Sequence, residues 1–188
     1  PSVIDARAAR IKLPPNVLPV YPFDNGEMTI RDEELLSWPR RPEELREEIA
    51  RYDLMIENMD AGIGRVLAAL DSHGLTDNTV VVFAGDHGLA LGSHGLLGKQ
   101  NLYEHSMRSP LIVVGPGFPA GTIRDDFTYL YDVPATILAA AGVAIPDSMD
   151  GLDLHLDTGR EDVLTRYRQI QRAWRDDRWK VIWYPPID

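Results

Sequence analysis

The residues best suited to chemistry lie in one stretch: Gly85-Asp86-His87-Gly88-Leu89-Ala90-Leu91-Gly92-Ser93-His94-Gly95-Leu96-Leu97-Gly98-Lys99. Asp86 offers a hard carboxylate oxygen and His87 a neutral imidazole nitrogen, a pair that can hold a divalent cation. Two donors do not fill a coordination sphere, so further ligands are expected from elsewhere. Gly85, Gly88, Gly92, Gly95 and Gly98 let the backbone fold tightly around a small anion. Lys99 closes the run as a compact cation for a sulfate or phosphate oxygen, able to offset negative charge in a transition state. Each residue alone also has a plain structural reading. Asp-His-Gly is a common capped turn, and a lysine is most often a solvated charge. His94 and His105 read as residues behind or beside a site, Arg108 as an ion-pair partner, and Trp174, Trp179 and Trp183 as packing.

The elements around this stretch explain how it is positioned. Thr79-Val80-Val81-Val82-Phe83-Ala84 is an apolar, β-branched run, and Pro110 to Val114 is a second, closed by Gly115-Pro116-Gly117. Such runs predict strands buried on both faces, as in a parallel sheet flanked by helices. Asp86 and His87 then fall just past the carboxyl end of a strand, where open α/β sheets bind ligands. Pro42, Glu43 and Glu44 predict a helix start. Leu45, Ile49, Tyr52, Ile56, Met59, Ile63, Val66, Leu67 and Leu70 then form one apolar stripe, with His73-Gly74 as the stop. Asp132 is a candidate cap for a helix through Ile137 and Leu138 to Ala141, ended by Gly142. Arg172-Ala173-Trp174 and Arg178 to Tyr184 flank Asp176-Asp177 as a hairpin, with Trp179, Val181 and Trp183 on one face.

The expected organisation is therefore α/β. Residues 1–41, with Pro14, Pro15, Pro19, Pro22 and Pro39, read as an extended segment packed on the main body. Residues 42–150 read as part of an α/β domain, and 151–188 as the start of a C-terminal subdomain. At 188 residues and 44% hydrophobic content, the chain can bury one core. A net charge of -10 argues against a nucleic-acid surface. With no cysteine there is no disulfide, no thiolate metal site and no cysteine-derived nucleophile within these residues. No apolar run is long enough to span a bilayer. Opening on Pro-Ser-Val-Ile-Asp, without an initiator Met, the chain reads as the interior of a longer protein.

Beyond single residues, the line Asn78 to Phe83, Gly85-Asp86-His87-Gly88, Leu91-Gly92-Ser93-His94-Gly95, Gly98-Lys99, Tyr103-Glu104, Arg108-Ser109-Pro110-Leu111-Ile112 and Gly115-Pro116-Gly117 resembles the sulfatase family of the alkaline-phosphatase-like superfamily. Further similarity lies at Tyr52, Ile56, Asp60, Ile63 and Gly64, at Asp132-Val133-Pro134-Ala135-Thr136, at Gly151-Leu152-Asp153 and at Arg178-Trp179-Lys180-Val181-Ile182. The resemblance implies an alkaline-phosphatase-like, mostly parallel sheet with a small C-terminal antiparallel piece. It implies that Asp86 and His87 ligate Ca2+ (or Mg2+ or Mn2+), that Lys99 contacts the sulfate and that His94 lines the substrate site. Many relatives carry an acidic residue where Ser93 stands. The implied activity is hydrolysis of a sulfate ester on a small molecule or glycan; the compartment is left open, with a periplasmic or secreted setting compatible with the resemblance.

The family's nucleophile is a formylglycine made from Cys or Ser in a Cys/Ser-x-Pro-x-Arg motif, and two early aspartates join the metal. Neither feature is present in this sequence. Ser37-Trp38-Pro39-Arg40 is the nearest lookalike, and its spacing is wrong. The nucleophile is therefore expected in a missing N-terminal half of the same enzyme. Two rival readings stand beside the sulfatase: a phosphoester or phosphonate hydrolase on the same fold, and a non-catalytic module that binds anions.

Overall fold

The computed structural model describes residues 2–185. Its first element, α1 (Val3–Ala8), lies inside the segment expected to be extended. Ser2 and Asp5 form a reciprocal capping box, with Asp5 N–H donating to Ser2 Oγ at 3.2 Å and Ser2 N–H donating to Asp5 Oδ2 at 2.7 Å. The short helix packs on α2 and pairs Arg7 with Glu57. A single 3-10 turn, Glu33–Leu35, interrupts the coil that follows.

α2 (Pro42–Ser72) is the 31-residue helix expected from the apolar stripe, about 46 Å long at 1.5 Å per residue. Pro42 sits in its first turn, and Gly74 takes a φ of 65° directly beyond the His73 cap. Leu45 and Ala50 are buried, whereas Met55, Met59, Val66 and Leu67 stay exposed. Full burial along the stripe is confined to its first turns, and Ile63 and Leu70 farther on are partly buried.

β1 (Val81–Ala84) and β2 (Leu111–Val114) pair antiparallel, with Val81 opposite Val114 and Ala84 opposite Leu111. This corrects the expected parallel sheet: among the described residues both sheets are antiparallel. A parallel return needs a long crossover, normally a helix. Between Gly85 and Pro110 the longest helix is α3 (Glu104–Met107), only four residues. The chain instead loops out and comes back at the same strand end, where Gly85 N–H donates to Pro110 O at 3.0 Å. Nor are the strands buried on both faces, since Ile112 and Val114 are more than half exposed.

α4 (Asp132–Ala140) ends where expected, with Gly142 at a φ of 70°. Asp132 is the first helical residue rather than the cap. Its fully buried carboxylate accepts N–H bonds from Tyr129 (2.7 Å) and Leu152 (2.9 Å) and pairs with Arg160. Burial pushes that carboxyl up; the guanidinium and the two backbone N–H groups pull harder and leave it below the usual carboxylate range. The C-terminal sheet has three strands in the order β3 (Val163–Tyr167), β4 (Gln171–Arg175) and β5 (Lys180–Trp183), all antiparallel. The expected hairpin is β4–β5, with Asp176 Oδ1 accepting from Arg178 N–H at 2.9 Å in its turn. β3 extends it, and Val181 and Trp183 share an exposed face. No helix is long and apolar enough to cross a membrane among the described residues.

Candidate metal and anion site

The broad loop 85–110 carries all the predicted site residues, and its two halves are held in different ways. At the strand end, His87 N–H donates to Asp86 Oδ1 at 3.0 Å. His87 Nδ1 lies 3.1 Å from the Gly88 carbonyl. A carbonyl only accepts, so Nδ1 carries a proton, and in the neutral ring the lone pair is then on Nε2. That nitrogen lies 3.4 Å from Asp86 Oδ2, which in the neutral ring sets two electron-rich atoms side by side. Such an arrangement is stabilised by a proton or a cation between or beside them. The hydrogen bond from the far ring nitrogen is the contact that orients a metal-binding histidine. The Asp86 side chain is 83% exposed and opens onto a cleft that Glu104, Arg108, Phe127, Arg175 and Lys180 also line. Among the described residues no group of three or more His, Cys, Asp or Glu side chains is arranged to hold a metal ion. The pair fits as two donors of a site, not as a whole one.

Gly88 fixes where this turn sits. Its N–H donates to Ser106 O at 3.0 Å, and a Cβ there would lie 1.9 Å from the His105 carbonyl oxygen. The return of the loop through α3 thus presses directly on the Asp86–His87 turn.

The Lys99 half is built on buried charge. Arg40, wholly buried, pairs with Glu33 at 2.6 Å and donates from Nε to Gly95 O at 3.1 Å. Glu33 in turn accepts N–H bonds from Leu97 (2.9 Å) and Gly98 (2.8 Å). One carboxylate therefore satisfies a guanidinium and two amides in the dry interior, the condition for a buried ion pair to stand. Gly95, at a φ of 83°, is backed so closely by Tyr21 that a Cβ would come within 2.9 Å of its backbone nitrogen. Lys99 leaves this platform with its ammonium 3.5 Å from Asp32 Oδ2. Hydrogen bonds from Arg31 hold the Asp32 carboxyl below its ordinary range against the opposing effect of burial; Gln100 and the Lys99 charge add to the lowering.

His94, expected to line the substrate site, stacks on Tyr103 with ring centres 4.1 Å apart, and its Nε2 is 3.1 Å from Asn16 Nδ2. Burial lowers its pKa. His105 lies 6.0 Å from His94; burial, with help from His94 and Lys180, lowers its pKa to about 4. Its Nε2 is buried without a hydrogen-bond partner among the described residues. Arg108 has no ion-pair partner among the described residues, in contrast to its plain sequence reading.

The structure thus brings Asp86 and His87 together and gives Lys99 a separate partner, Asp32. Sequence reasoning missed Asp32, Glu33 and Arg40. Arg40 was visible only as the end of the Ser37-Trp38-Pro39-Arg40 lookalike, and its role is to anchor the loop more than 50 residues away. The sole available hint was a run of charges in an otherwise proline-rich stretch.

A strand-end carboxylate–imidazole pair and a loop lysine are thus set among helices and short antiparallel sheets. The model of the Sulfatase family matches residues 14–143, more than half of the chain, and the chain belongs to that family. It is 40% identical over 113 residues to the multifunctional alkaline phosphatase superfamily protein PehA of Trinickia caryophylli, covering 59% of this chain and 22% of that protein. It is 37% identical over 136 residues to an arylsulfatase of Clostridium perfringens, covering 70% and 26%. Among solved structures, a phosphonate monoester hydrolase from Silicibacter pomeroyi superposes with a TM-score of 0.80 at 23% identity, over 94% of this chain and 42% of that one. A 2-O GAG sulfatase does so with a TM-score of 0.73 at 22% identity, over 90% and 40%. Those two likenesses establish the fold alone. The chain spans about a quarter or less of the length of these curated relatives.

Proposed function

We propose that this chain supplies part of the metal and sulfate site of an enzyme that hydrolyses sulfate esters. The observation that carries the reading is the His87 ring: with Nδ1–H committed to the Gly88 carbonyl, Nε2 and the Asp86 carboxylate are presented together at a strand end. Asp86 and His87 would hold the cation, calcium by family likeness, with magnesium and manganese as the other candidates. A divalent cation bound there supplies Lewis-acid polarisation of an ester oxygen. Lys99 meets the sulfate as a point charge, and its fixed platform keeps the cost of reorganisation low as charge develops. His94, stacked and partly buried, shapes the inner wall behind the loop rather than carrying a proton. The nucleophile, a formylglycine in this reading, comes from sequence outside residues 1–188.

The test compares wild type with Asp86→Ala and Lys99→Ala in the whole enzyme that contains these residues. Asp86→Ala is expected to lose bound calcium and activity together. Lys99→Ala is expected to keep the metal and lose about 2–4 kcal/mol of transition-state stabilisation. Normal metal content in the first variant, or an unchanged rate in the second, contradicts the assignment. The fold of the phosphonate monoester hydrolase supports a second reading, phosphoester or phosphonate hydrolysis, because the same cation and lysine suit tetrahedral phosphorus. The ratio of kcat/KM for an aryl sulfate to that for a phosphonate monoester separates the two. Sulfate binding without turnover of either ester identifies the non-catalytic anion-binding module instead.

A further inference from the structure

The structure assigns to Asp32 a positioning role: it is the resident counter-ion of Lys99 and weakens the hold of the site on the dianionic product relative to the monoanionic ester. This rests on the reading that Lys99 meets the sulfate. The Lys99 ammonium has one carboxylate partner within 4.0 Å among the described residues, Asp32 at 3.5 Å. That carboxylate is itself fixed. Arg31 donates to its Oδ1 at 2.8 Å, and Gln100 Nε2 to its Oδ2 at 3.2 Å, while Gln100 Oε1 accepts from Lys99 N–H at 3.0 Å. Gln100 thereby ties the backbone of Lys99 to the group that faces its head. Next in sequence, Glu33 holds the two amides that precede Lys99, so the lysine is restrained at root and tip by consecutive acidic residues.

A fixed negative charge beside the anion-binding cation has a definite consequence. An anion touching the far side of the ammonium stands about 6 Å from the carboxylate, adding a typical charge-assisted contact to the observed ion pair. This is inside the screening length of about 8–10 Å at ordinary ionic strength. Repulsion scales with ligand charge. A sulfate monoester carries one negative charge and inorganic sulfate two. Asp32 therefore disfavours the product about twice as strongly, on a logarithmic scale, as the substrate, and promotes release.

The experiment measures competitive inhibition constants of inorganic sulfate and of methyl sulfate on the intact enzyme, for wild type, Asp32→Asn and Lys99→Ala. Where no ester is turned over, calorimetric dissociation constants of the same two anions replace them. Asp32→Asn keeps an oxygen for Gln100 and is expected to bind inorganic sulfate about fivefold tighter and methyl sulfate about twofold tighter. Asp32→Ser reads the same ratio with a smaller side chain if the amide disturbs folding. Unchanged or weaker sulfate binding, or equal tightening for both anions, overturns the inference while leaving the Lys99 reading in place. Lys99→Ala must weaken both anions. If it changes neither, the reading of Lys99 falls, and the role of Asp32 with it.

Discussion

The two halves of the loop 85–110 contrast in construction. The Lys99 half rests on Arg40 and Glu33, with no more than 4% of either side chain exposed, and on amides that a carboxylate already holds. The Asp86–His87 half is a turn with an 83% exposed carboxylate, and the polar contacts of its two side chains are with neighbours in sequence. Under the proposed assignment, the arm that would contact the anion is preorganised by this chain alone, whereas the arm that would hold the metal needs further ligands. Stability and activity should therefore separate cleanly between the halves.

The sharpest way to break the comparison is at Arg40. Arg40→Ala leaves the Glu33 carboxylate buried without its charge partner and should cost about 3–5 kcal/mol in denaturant unfolding. If the cost is below about 1 kcal/mol, the buried pair is not what holds the Lys99 arm. Gly88→Ala comes next. Its methyl would meet the His105 carbonyl oxygen at 1.9 Å, so the turn must shift, at an expected cost of about 1–3 kcal/mol and with weakened metal binding. Full retention of calcium affinity would show that the turn has slack. Asp86→Ala lies at the other extreme. An exposed carboxylate without a cation partner should change metal-free stability by less than about 0.5 kcal/mol, however severe the effect on activity. A large loss of stability would place Asp86 in the frame rather than at its open end.

Acid provides a finer probe. His105 has a folded pKa of about 4, lowered by burial and by the charges of His94 and Lys180. Its contribution to stability is fully present above the unfolded histidine value, near 6.5, and is lost as pH falls toward 4. His105→Gln should flatten the stability curve over that window, and an unaltered slope would contradict the burial of a neutral imidazole. Asp132, held below the normal carboxylate range despite its burial, should act lower down, its contribution disappearing as pH falls through the folded value.

Local patterns carried much of the fold. The start of α2 at Pro42, its stop at Gly74, the β1 and β2 runs and the β4–β5 hairpin all rest on short-range chemistry visible in the sequence. Strand direction did not, because an apolar run such as Val81–Ala84 reads the same whichever way its partner points. β3 escaped notice since the turn between β3 and β4 places Arg168 at a φ of 47°, where a glycine or asparagine would have marked it. Within the candidate site, Asp86, His87 and Lys99 stand out in the sequence as residue types in a glycine-rich loop. Their supports do not: Glu33 reaches Leu97 across 64 residues, a pairing that leaves no spacing signal in one sequence.

The central claim is that one turn and one platform serve a common site, with the cation on Asp86 and His87 and the anion on Lys99. A crystal structure of the intact enzyme with calcium and inorganic sulfate tests it directly. The account predicts calcium about 2.3–2.6 Å from an Asp86 carboxylate oxygen, His87 Nε2 turned toward the same ion, and Lys99 Nζ within hydrogen-bonding distance of a sulfate oxygen. Calcium bound elsewhere, or sulfate held away from Lys99, would contradict it.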